Sequence, residues 1–171
     1  MSLLPKQHEF MGLPQIRGEE VFTQILIGIM VIFMTIVIQV LFISTAILML
    51  TKRGTWLAAP PFIVKTTIAM VAVVLWLILG ISLSAWSWAG VFMIANVFQN
   101  LESALYFSIV TFTTLGYGDI TLDTQWRLLA SFTAVNGLII FGLNTAFLVE
   151  FSSRLRSTQE NSVDTKDQIN E

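Results

Sequence analysis

The sequence predicts an all-α membrane protein with three transmembrane helices, and three observations carry that prediction. Hydrophobic residues make up 55% of the 171 positions and charged residues 12%, about half of the roughly 25% usual in globular domains. The charges are segregated: none occurs in 21–51, 66–101, 103–118 or 128–149, gaps of 31, 36, 16 and 22 residues. A spanning helix needs about 20 apolar residues, so three gaps are long enough and the shortest is not. The mean hydropathy of +0.77 agrees, and a soluble enzyme is excluded. With no Cys there is no disulfide framework and no thiolate metal site, and no basic cluster points to nucleic acid.

Residues 1–20 form a polar extracellular segment of mixed sign. The apolar run that follows is too long for a cleavable secretory core. The first span, 21–50, contains no proline, and Gly28 is its one weak point. At about 1.5 Å rise per residue it exceeds a roughly 30 Å hydrocarbon core and must tilt or project. Its Gln24, Thr35 and Gln39 are expected to face neighbouring helices rather than lipid. Lys52, Arg53 and Gly54 break the run, and Pro60-Pro61 suits the first turn of a second span over 62–89, with Lys65 snorkelling near its start.

Residues 90–100 read either as the end of that helix or as an extracellular turret. Asn100 can cap a short helix with Glu102 and Ser103 in its first turn, running to about Thr113. That helix is too short to cross. The third span is expected over 126–154, followed by a solvated cytoplasmic tail over 157–171.

Basic residues set the orientation. Lys52, Arg53 and Lys65 follow the first span, and Arg154 and Arg156 end the third. Between spans two and three, Glu102, Asp119 and Asp123 stand against Arg127 alone. The positive-inside rule then puts the first loop and the C-terminus in the cytoplasm and the N-terminus outside. Trp86, Trp88 and Trp126 would form an outer interfacial belt and Trp56 an inner one, with Trp76 packing in mid-span.

The specific chemistry lies after the short helix, in Thr111-Phe112-Thr113-Thr114-Leu115-Gly116-Tyr117-Gly118-Asp119. Non-helical backbone at membrane depth is tolerated only where it lines a water-filled cavity or is buried in protein. This stretch resembles the signature of the potassium channel pore-domain family. Ala104-Leu105-Tyr106-Phe107-Ser108, Trp126-Arg127-Leu128-Leu129, Asn136-Gly137-Leu138 and Phe141-Gly142-Leu143-Asn144-Thr145-Ala146-Phe147 resemble its small, mostly bacterial two-transmembrane pore-loop members. The resemblance covers roughly 100–154 well and the second span by position only. The first span is additional, and Leu115 stands where Val is usual.

The resemblance implies a re-entrant pore helix and selectivity filter, passive potassium-selective conduction, and no cofactor beyond K+ as permeant ligand. K+ would exchange its water shell for the carbonyls of Thr114, Leu115, Gly116 and Tyr117 and the Thr114 hydroxyl, with Gly118 closing the filter. Carbonyls on one side of a strand require alternating backbone hand, which Gly116 and Gly118 adopt without a Cβ penalty. Tyr117 would turn outward against Tyr106 and Phe107, and Tyr106 would bond Asp119. Val110 stands where many members carry an acid, so no carboxyl–carboxylate pair is expected behind the filter. The C-terminal end of the pore helix would favour a cation in the cavity. Glu102 and Asp119 would either concentrate cations at the mouth or be exposed loop acids.

In the third span, Gly137 and Gly142 are hinge candidates or sites of close helix packing. Asn136, Asn144 and Glu150 spread over roughly 120° at about 100° per residue, and this polar face is one candidate pore lining. The resemblance selects the opposite face, Leu138, Phe141, Thr145 and Val149. Glu150 is also placed to pair with Arg154. A single loop cannot enclose an ion, so four chains in the lipid bilayer are required: a four-fold homotetramer with twelve spanning helices around one axial pore. The alternatives are a weakly selective cation channel, a potassium-transporter subunit, or a modulatory membrane subunit. No span carries Arg or Lys every third residue, so no voltage sensor is expected. His8, the one histidine, is an incidental residue of the N-terminal segment.

Overall fold

The computed structural model describes residues 18–52 and 62–169. Most of the N-terminal segment, with His8, and residues 53–61, with Arg53, Gly54, Trp56, Pro60 and Pro61, lie outside the described residues.

The described residues form four helices, α1 (Gly18–Lys52), α2 (Phe62–Ile94), α3 (Leu101–Phe112) and α4 (Arg127–Ile169), with a 3-10 turn at Thr124–Trp126 leading into α4. Three of them are long and apolar enough to cross a membrane, over Val21–Lys52, Val64–Ile94 and Thr124–Arg154. No strand occurs among the described residues. Beyond Arg154 the backbone stays helical to Ile169, so the polar tail continues α4.

α2 outruns its expected end at 89, because Val91, Phe92, Met93 and Ile94 keep it apolar and helical. It stops at Asn96, whose φ is 57°. The Val97 N–H donates to Phe92 O at 2.9 Å and the Asn96 N–H to Met93 O at 3.0 Å, the paired bonds of a Schellman cap. Residues 90–94 are therefore helix, and only 95–100 form the connection. Asn100 then caps α3, its side chain accepting the Glu102 N–H at 3.0 Å.

α3 lies between α2 and α4, while α1 packs along both α2 and α4. The main core joins Val31 of α1, Trp88 and Phe92 of α2, Phe107 and Phe112 of α3, Leu122, and Leu129 and Ile140 of α4. Phe92 and Phe107 meet edge to face with ring centroids 5.3 Å apart, a favoured aromatic geometry. Trp88 is wholly buried here, so it is a core residue and not part of an interfacial belt. Its ring lies 6.1 Å from that of Phe92, one turn along the same helix. Trp86 on the same helix is exposed. Trp76 packs as expected, with its indole N–H on Phe42 O at 3.0 Å and its ring 4.8 Å from Phe42. A second cluster of Ala69, Val73, Leu77 and Phe151 holds the other end of the bundle.

The polar residues of α1 fall on its buried stripe, as their spacing implied. Gln24, Thr35 and Gln39 are all at least 95% buried. Lipid tails are as apolar as leucine, so burying Leu side chains between helices contributes little, and hydrogen bonds and close packing hold such helices together. Each of the three α1 residues bonds to α4 or to the turn leading into it.

Candidate functional site

The C-terminal end of α3 and the loop after it form the candidate site. The Thr114 N–H donates to Thr111 O at 2.9 Å and the Leu115 N–H to Val110 O at 3.0 Å, a second Schellman cap. Its left-handed position is Thr114, with φ 58°. Glycine usually stands at such a position. A β-branched residue there is a genuine outlier that stores about 1–3 kcal/mol of strain. Only Gly116 and Gly118 were expected to turn left-handed, and helix-cap chemistry read from sequence does not suggest a threonine.

Gly116 has φ 54° and Gly118 φ 77°, and neither Leu115, which precedes Gly116, nor Tyr117, between the glycines, has a positive φ. The backbone thus alternates hand at 114, 116 and 118. A strand needs this alternation to set consecutive carbonyls along one edge. The loop from Thr113 to Asp119 is exposed within the single chain.

Behind the loop, the Tyr106 hydroxyl donates to Asp119 Oδ2 at 2.6 Å. This bond holds the Asp119 carboxyl below the usual carboxylate range and pushes the Tyr106 phenol up. The expected bracing of Tyr117 by Tyr106 and Phe107 is not formed within the chain. Phe107 turns the other way, against Phe92 and Phe98 of the core, and Tyr117 is 68% exposed. The physical reason is the burial of α3 against α2, which draws Phe107 inward and leaves Tyr106 on the loop side.

The loop is tied to α4 through Gly137. A Cβ at Gly137 would fall 1.7 Å from the Phe112 carbonyl oxygen, whereas one at Gly142 would meet nothing within 4 Å. Gly137 is therefore a point of close approach between α4 and the C-terminal end of α3. Gly142 lies on the open face.

Leu138, Phe141, Thr145 and Val149 share that open face. Leu138 is 61% and Val149 67% exposed. Asn136 and Asn144 do not share it. Asn136 Nδ2 donates to Thr35 Oγ1 at 2.7 Å, and Asn144 Oδ1 accepts from Gln39 Nε2 at 2.7 Å. Both asparagines are buried against α1, because the polar stripe of α1 offers them partners. The polar face of α4 is thus a helix–helix seam and not a free lining. Glu150 is exposed and pairs with Arg154 at 2.7 Å, one turn along the same helix. Glu102 is exposed in the first turn of α3. Among the described residues no group of His, Cys, Asp or Glu is placed to hold a metal ion.

Sequence reasoning missed the role of Gln24. Its Nε2 donates to Gln125 O, and its Oε1 accepts the Leu129 N–H at 3.3 Å. A side chain of α1 thereby caps the first turn of α4, whose early N–H groups have no partner within the helix. The signal was a polar residue in an apolar span.

Residues 81–154 match the model of a family described as ion channel. No curated protein and no solved structure matches the chain. The matched segment takes in α2 from Ile81 onward, α3, the alternating loop and α4 to Arg154, and leaves α1 outside. Over residues 81–154, somewhat less than half of its length, the chain is thus similar to that ion channel family.

Proposed function

We propose that the chain is the subunit of a homotetrameric channel that passes K+ down its gradient, with selectivity over Na+. The observation that carries this reading is the alternating hand at Thr114, Gly116 and Gly118 directly after a half-length helix. Four such loops around an axis supply backbone oxygens in place of the water shell of a monovalent cation. The Thr114 hydroxyl adds a further oxygen at the inner end.

In the assembled channel, Leu138, Phe141, Thr145 and Val149 line the cavity below the filter. Tyr117 rests against a neighbouring subunit, which accounts for its lack of a ring partner within one chain. The negative end of the α3 dipole favours a cation in the cavity, by about half a unit charge. Asp119 at the outer mouth raises the local cation concentration. The basic residues after the first span and at the end of the third support a topology with the N-terminus outside and the C-terminus in the cytoplasm. No bound cofactor takes part.

The test is potassium flux into reconstituted vesicles, with the detergent-solubilised mass measured in parallel. Four chains per particle and flux abolished by Gly116→Ala are expected, since a Cβ at φ 54° carries a penalty of about 1–2 kcal/mol in each of four strands. A monomer, or flux unchanged in the variant, overturns the reading and leaves a modulatory membrane subunit.

A further inference from the structure

α1 lies outside the segment that matches the ion channel family, yet it bonds α4 at three heights. Gln24 reaches the first turn at Leu129, Thr35 reaches Asn136, and Gln39 reaches Asn144. The upper two grips sit at or above Gly137, where α4 is already pinned against Phe112. The lowest is different. Asn144 stands beyond both Gly137 and Gly142, so Gln39 holds the part of α4 that must move if the helix bends at either glycine.

The lowest rung is also half made. Gln39 Nε2 donates to Asn144 Oδ1, while Gln39 Oε1 and Asn144 Nδ2 are both buried without a partner. The unmet acceptor and the unmet donor thus belong to the same two side chains. Two primary amides can exchange two hydrogen bonds when they lie in register, and an unmet buried polar group is costly. A small rotation or slide of α4 along α1 would take the pair from one bond to two. Gln39 is hemmed in towards α2, because its Oε1 lies only 2.7 Å from the position that a Cβ on Gly80 would take. The wedge between Gly80 and Asn144 fixes the α1 end of the pair and leaves α4 as the part that shifts.

We infer that Gln39 and Asn144 are positioning residues for conduction: through them α1 sets the balance of α4 between two positions, and so the fraction of time the pore is open. The inference rests on the reading of α4 as the pore-lining helix.

Single-channel recording in planar bilayers tests it, with Gln39→Leu, Asn144→Leu, the double variant, and the exchange variant Gln39→Asn/Asn144→Gln. Each single variant is expected to change open probability by about threefold or more, the scale of one interhelical hydrogen bond in a membrane. The double variant should match the singles, since the pair acts as a unit. The exchange variant should return towards the parent. Unitary conductance and reversal potential should stay unchanged in all of them, because the filter is untouched. Leu41→Ala, on the exposed face of α1, should change nothing. Open probability unchanged in both singles, or additive effects in the double, overturns the inference while leaving conduction intact. A parent protein that passes no potassium current removes this inference together with the reading beneath it. Should a leucine variant fail to assemble, Gly80→Ala, which displaces the Gln39 amide from the α2 side, must alter open probability in its place, and an unchanged value there overturns the inference.

Discussion

Tyr106 donates a 2.6 Å hydrogen bond to Asp119, joining the middle of the short helix to the residue that follows the last glycine of the loop. The bond fastens the far end of a loop whose near end is fixed by the Schellman cap at Thr114. It also lowers the carboxyl pKa and raises the phenol pKa. A group whose pKa is depressed in the folded protein contributes stability above its unfolded value and loses it as pH falls through the folded one. The raised phenol contributes below its ordinary range and loses its contribution as pH rises through the folded value. Potassium flux should therefore be flat from weakly acid to weakly basic external pH, falling only below the usual carboxylate range. Tyr106→Phe should move that acid limit upward, as read from vesicle flux against external pH. An unmoved limit would mean the bond does not hold the loop.

Gly137→Ala should destabilise the protein by about 1–3 kcal/mol or more, because the new methyl group meets the Phe112 backbone oxygen rather than a side chain that can swing away. Gly142→Ala should leave the melting temperature in detergent unchanged, since nothing lies within 4 Å of the added carbon. A thermal melt of the two variants side by side checks the contrast.

Asn100→Ala removes the side-chain acceptor for the Glu102 N–H. Loss of such a cap costs about 1 kcal/mol. The melting temperature should fall by a few degrees, and Asn100→Asp should retain most of it, because aspartate caps equally well.

Thr114→Val keeps the shape and the left-handed strain at φ 58° but deletes the hydroxyl. Potassium flux should drop by about tenfold or more if that oxygen takes part in ion coordination. Thr114→Ser should keep most of the flux. Equal flux in the two variants would assign Thr114 to the cap alone.

The three spans were legible because charge is so unevenly spread that lipid-compatible segments have visible ends, and the cap at Asn100 is a local signal. The Tyr106–Asp119 bond was legible through the family resemblance, which placed an aromatic hydrogen-bond donor opposite the loop acid. The left-handed Thr114 was not, since threonine propensity argues against it and only the fit of α3 between α2 and α4 enforces it. Trp88 was misplaced at an interface because a tryptophan near a span end looks the same whether it faces lipid or core. Asn136 and Asn144 were ambiguous for a similar reason. One helix reveals that polar groups share a face, but their partners, Thr35 and Gln39, lie 101 and 105 residues away in the chain.

The reversal potential of reconstituted protein under opposed potassium and sodium gradients tests the central claim most directly. A filter of backbone oxygens from four alternating strands predicts a value close to the potassium equilibrium potential. A value near zero, with the two ions equally permeant, would contradict it.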